Sequence, residues 1–103
     1  MYKLAIFIPE THLEQVKTAM FDAGAGRIGN YDQCCWQIRG QGQFRALDGA
    51  NPFLGQQNTV EHVDEYKVEM VCEDDLLKPV LEAMKASHPY EEPAYDVIKL
   101  VDV

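Results

Sequence analysis

The chain has 103 residues, enough for one domain with a single core. Hydrophobic residues make up 47% of it and charged residues 25%, which excludes a disordered chain. Its 17 acidic against 9 basic residues give a formal net charge of -8; this repels phosphate backbones, excludes nucleic acid as a partner, and suits cations, small ligands or another protein.

Tyr2, Leu4, Ile6 and Ile8 alternate with Lys3, Ala5 and Phe7, and both sets are mostly apolar. That pattern predicts a central strand covered on both faces. Pro9 ends the apolar run, leaving it too short for a signal peptide or a membrane span, so a cytoplasmic protein without membrane contact is expected. Thr11 and Glu14 have capping-box spacing, and a helix is predicted from there to about Ala23, with Leu13, Val16 and Met20 on its buried stripe. Gly24 suits the left-handed residue beyond the helix end.

Gly24-Ala25-Gly26-Arg27-Ile28-Gly29 matches G-x-G-x-x-G literally. A dinucleotide site needs a strand before that motif and a helix after it, whereas here the order is reversed. The segment therefore reads as a glycine-rich turn from helix to strand. A second strand follows from about Gln33 to Arg39, which sets the adjacent Cys34 and Cys35 on opposite faces; three cysteines in this arrangement imply no disulfide framework. From Gly40 to about Thr59 the chain carries four glycines and Pro52. It reads as a long connection that resumes strand character around Gln43 to Ala46, and connections of this length serve function, interfaces or motion.

The third strand spans about Glu61 to Cys72, with Tyr66, Val68, Met70 and Cys72 on one face. Val63 falls out of register, which predicts a bulge near Asp64. Glu73-Asp74-Asp75 opens the second helix with negative charge at its positive end, Asp74 being the expected cap. Leu76, Leu77, Val80, Leu81 and Met84 form the buried stripe of a helix reaching Ala86, and Ala94 to Val101 reads as the last strand. The order β-α-β-β-α-β predicts a single α+β domain over residues 1–103. Its architecture would be a ferredoxin-like sandwich, an antiparallel sheet with two helices on one face. The apolar residues on the other face then predict a homo-oligomer.

Between the second helix and the last strand lies His88-Pro89-Tyr90-Glu91-Glu92-Pro93-Ala94-Tyr95-Asp96, a stiff connector in which two prolines forbid regular helix. His88, Glu91 and Glu92 offer one imidazole and two carboxylates, a donor set for a divalent metal. The competing reading is a helix-ending turn in which Tyr90 anchors into packing, so that Tyr90→Ala is the damaging change and His88→Ala costs little. It is preferred, because a good metal site needs three or four converging ligands. His12 and His62 read as solvated or capping residues. No Ser-His-Asp set, Walker loop, H-E-x-x-H or C-x-x-C is present, so no enzyme is expected.

Leu4 to Pro9 with Glu10-Thr11-His12-Leu13, Gly24 to Tyr31, Gly49-Ala50-Asn51-Pro52-Phe53-Leu54-Gly55, and His88 to Asp96 together resemble the central insert domain of the Nif-three-like (YqfO-like) dinuclear-metal family. The resemblance covers essentially the whole chain. His88-Pro89-Tyr90-Glu91 with Pro93 also resembles CutA, and both families resemble the PII signalling proteins in fold, which implies a trimer. The shared motifs make Gly26, Gly29, Asn30, Tyr31, Asn51, Pro52, Phe53 and Tyr90 the candidates for a ligand or interface. The resemblance implies that the full-length family holds its metals with residues of domains flanking the insert; these 103 residues are expected to contain no such domain, so the hydrolase activity is not expected to carry over. Copper tolerance is not expected either, since this chain has a single tryptophan, Trp36, where CutA strands are tryptophan-rich. The expectation is a non-catalytic oligomeric module binding a small ligand, divalent cation or protein partner through the 40–59 connection. Its rivals are a metal-dependent hydrolase of phosphate or nucleotide substrates and a purely structural assembly domain.

Overall fold

Leu4, Ile6 and Ile8 project to one side of the first strand and are wholly buried, and the rest of the molecule packs around that row. The computed structural model describes residues 1–103. Its elements are β1 (Tyr2–Pro9), α1 (Leu13–Asp22), β2 (Trp36–Arg45), β3 (Val60–Cys72), α2 (Leu77–Ser87) and β4 (Tyr95–Lys99). The sheet has the order β2-β3-β1-β4 and every pairing is antiparallel. Val16 and Met20 of α1 and Val80 and Met84 of α2 close over Leu4, Ile6, Ile8, Val68, Met70 and Cys72 as one core. This is the ferredoxin-like α+β sandwich that the alternation predicts.

Several local expectations are corrected. β2 runs unbroken through Gly40 and Gly42, so the long connection shrinks to residues 46–59. The β2–β3 ladder keeps one register from Trp36 opposite Glu69 to Arg45 opposite Val60, so there is no bulge at Asp64; Val63 simply faces away from the helices. No capping box forms, because Glu10–His12 is a 3₁₀ turn and the Thr11 hydroxyl pairs with His12 Nδ1 at 2.8 Å. Asp74 does not cap α2: its carboxylate holds the Met1 amino group and Lys99. β4 ends at Lys99, short of Val101, and Cys34 and Cys35 precede β2 instead of lying in it.

Residues opposite one another in a ladder share a face. Trp36, Ile38, Ala5, Phe7 and Ile98 therefore stand together on the side of the sheet that carries no helix. Lys3 and Lys67 both reach Glu69 across that face, at 3.0 and 3.3 Å. No helix is long and apolar enough to cross a membrane.

Candidate functional site

The connector from α2 to β4 is fastened to the end of β1 at a single residue. Phe7 donates its N–H to the Ala94 carbonyl at 3.1 Å, and its own carbonyl accepts a hydrogen bond from His88 Nε2 at 2.8 Å. His88 Nδ1 in turn accepts the Tyr90 N–H at 3.2 Å. Accepting on Nδ1 and donating from Nε2 fixes the neutral tautomer. Burial pushes the imidazole pKa below 6.5, outweighing the Phe7 carbonyl and Glu65, which raise it. His88 takes extended geometry, as a residue before proline must, and this turns the ring inward.

The Tyr90 ring lies 5.0 Å from the His88 ring and is tilted against it. Its hydroxyl donates to Glu65 Oε2 at 2.9 Å, and burial together with that bond raises its pKa. A Cβ at Gly42 would overlap the Glu65 carboxylate, so glycine there makes room for the pair. The Tyr90 ring lies 6.2 Å from Phe44 and 6.4 Å from Phe53, both tilted, and Phe53 meets His12 edge-on at 5.4 Å.

The 46–59 loop completes the site and is ordered by its own polar groups. Asn58 donates its N–H to the Ala46 carbonyl, Gln57 Nε2 bonds the Ala50 carbonyl, and Asn58 Nδ2 bonds Asp48. The Asn51 N–H reaches Glu91 Oε1 at 3.3 Å, joining loop to connector. Between them lies a cavity of about 250 Å³ lined by Phe44, Pro52, Phe53, Glu65, Tyr90 and Glu92, among others.

Of the predicted site residues, Pro52, Phe53 and Tyr90 meet at this cavity, and Asn51 adjoins it through Glu91. Gly26, Gly29, Asn30 and Tyr31 do not: Gly26 donates to the Val71 carbonyl at the far end of β3, where Ile28 and Tyr31 close a tight exposed turn. His88, Glu91 and Glu92 do not converge either. Both His88 ring nitrogens are occupied inside the fold, Glu91 and Glu92 line the cavity, and no group of three metal-binding side chains forms. Glu65 and Phe44 are not among the expected site residues, and His12, expected to be solvated or capping, packs edge-on against Phe53. Strand alternation could have put Glu65 and Phe44 on the helix-free face, but nothing local announces that Tyr90 lands on them.

A protein of Halalkalibacterium halodurans named GTP cyclohydrolase 1 type 2 homolog is 46% identical over 102 residues, covering 99% of this chain and 27% of the relative. A solved Bacillus cereus protein related to NIF3 superposes with a TM-score of 0.84 at 40% identity, over 98% of this chain and 26% of that one. The chain is homologous to one segment of the NIF3-related proteins. It spans about a quarter of the length of the curated relatives it matches. CutA1 of Pyrococcus horikoshii shares the fold of this NIF3-like segment, with a TM-score of 0.69 at 20% identity over 100% of this chain and 86% of that protein. No family model matches the chain.

Proposed function

We propose that this chain is a non-catalytic, homo-oligomeric module that binds a ligand or partner at the loop-and-connector cavity. The observation that carries the assembly half is the helix-free sheet face, where Trp36 is 60%, Ile38 53% and Ile98 54% exposed. Apolar side chains this large, grouped on one flat surface, are what a second copy covers. Lys3 and Lys67 share the single Glu69 carboxylate, so the trio keeps one net positive charge that an interface there would have to meet. The cavity supports the binding half, since it joins a few convergent polar groups to aromatic walls. A thermal-shift screen with nucleotides, divalent metals and small organic ions tests it, because any binder of the folded state raises the melting temperature by mass action. A screen blank throughout leaves only a structural assembly domain.

The rival reading, a metal-dependent hydrolase of phosphate or nucleotide substrates, draws on the name carried by the relatives. GTP turnover by the purified chain with a pair of tightly held divalent metals would replace the non-catalytic reading.

A further inference from the structure

We infer that the cavity under the 46–59 loop receives an organic cation: an alkylammonium or guanidinium head on a short apolar stem. This rests on the ligand-binding reading above and names the chemistry of its site. Phe44, Phe53 and Tyr90 present aromatic rings to the cavity, and Glu65, Glu91 and Glu92 present carboxylates. No lysine or arginine lines it, and none of the three carboxylates belongs to an ion pair. Glu65 is met only by the Tyr90 hydroxyl and Glu91 only by the Asn51 N–H, both neutral donors, so their charge is left uncompensated.

A phosphate-bearing ligand would meet three like charges there, which costs binding instead of adding to it. A bare divalent metal needs several oxygens converging at roughly 2.0–2.6 Å, and no such group of side chains forms. An organic cation needs neither. Its diffuse charge is attracted to ring faces within about 6 Å and to carboxylates at the rim, while its stem covers apolar wall. At about 250 Å³ the space is smaller than the roughly 300–1,000 Å³ of sites for drug-sized ligands, so it suits a small free amine or one basic side chain of a partner protein.

Titration of the 103-residue chain by amide NMR separates these sources. The probes are agmatine, a capped Gly-Gly-Arg-Gly-Gly peptide, and the same peptide with citrulline in place of arginine. Agmatine should move the Asn51 and Tyr90 amide signals, and the citrulline peptide should bind at least roughly tenfold more weakly than whichever cationic probe binds better. Binding of agmatine alone assigns a free small ligand; binding of the arginine peptide with equal or greater affinity assigns a protein side chain. Glu92→Gln should weaken binding roughly fivefold and Phe53→Leu by a similar factor. Glu82→Gln, an equal charge change on the exposed side of α2, should leave it unchanged. Binding of the citrulline peptide within roughly tenfold of the better cationic probe overturns the inference, and so does equal loss in Glu92→Gln and Glu82→Gln. If the cations fail while a nucleotide or metal raises the melting temperature, the inference falls and the ligand-binding module stands. If every probe fails, both fall.

Discussion

His88 uses both ring nitrogens within the fold, so its replacement removes more than a ring. His88→Ala strands the Phe7 carbonyl and the Tyr90 N–H and empties a buried space, which together should cost about 2–4 kcal/mol, against the small effect expected from sequence. The same burial makes stability depend on pH. Burial holds the folded imidazole below 6.5, with His12 adding to the lowering, so the unfolded chain binds its proton at higher pH than the folded one. This contribution is complete above about pH 6.5 and is lost as pH falls from there toward the depressed folded value. The loss of urea stability between about pH 7.5 and 5.5 should be larger in the unaltered chain than in His88→Gln; equal losses would refute the assignment. Tyr90 supports its neighbours differently. Removing only its hydroxyl, in Tyr90→Phe, should cost about 1–3 kcal/mol, because Glu65 accepts that bond as a carboxylate. In a double-mutant cycle the coupling with Glu65→Gln should account for most of that cost; additive costs would mean that the bond contributes nothing.

At the scale of elements, much of the fold was legible because one face of each strand and helix is buried. The row Leu4, Ile6, Ile8 and its partners Met70, Val68 and Tyr66 alternate in the sequence as they do in space. What misled was glycine. Gly40 and Gly42 read as breaks, yet β2 continues through them because β3 supplies an unbroken ladder and the Glu65 carboxylate occupies the room a side chain at Gly42 would take. The cavity was legible only in pieces, since Tyr90 and Glu65 are 25 residues apart and each loop looks self-sufficient in sequence. Glycines in the 24–29 turn also differ in kind, which gives a prediction. Gly26 has φ +79, and a Cβ there would sit 2.9 Å from the Cys34 carbonyl oxygen and 2.9 Å from the Phe21 ring. Gly29 has φ +57 with nothing within 4 Å of a Cβ. Gly29→Ala should therefore cost only the left-handed strain of about 1–2 kcal/mol, and Gly26→Ala clearly more, because a backbone carbonyl cannot rotate away. Denaturant midpoints of the two variants order these costs, and a reversed order would mean that the turn shifts as a unit.

The whole molecule measures 46 × 25 × 24 Å with a radius of gyration of 14.5 Å, against about 13 Å for a compact chain of this length. The β2–β3 hairpin runs on past β1, which pairs with β3 only from Cys72 to Glu65, while β2 follows β3 to Val60. A monomer of this shape would leave β2 as a long open edge beside the exposed Trp36 and Ile38, an arrangement that invites uncontrolled pairing unless something regular covers it. Self-association through the helix-free face, as proposed, would cover it, and a closed ring of copies would do so without leaving a free interface at either end. Trp36 and Ile38 are exposed and adjacent on the open face, while the core lies on the opposite side of the sheet. Replacing both with lysine should therefore leave the circular dichroism spectrum and the core intact. The expected result by light scattering at micromolar concentration is a species near three times the 11.7 kDa chain mass, falling to a single chain mass in the double variant. A monomer before substitution would remove the assembly reading outright. An oligomer that survives both lysines would move the interface away from the open face, and the apolar row on β2 would then need another partner.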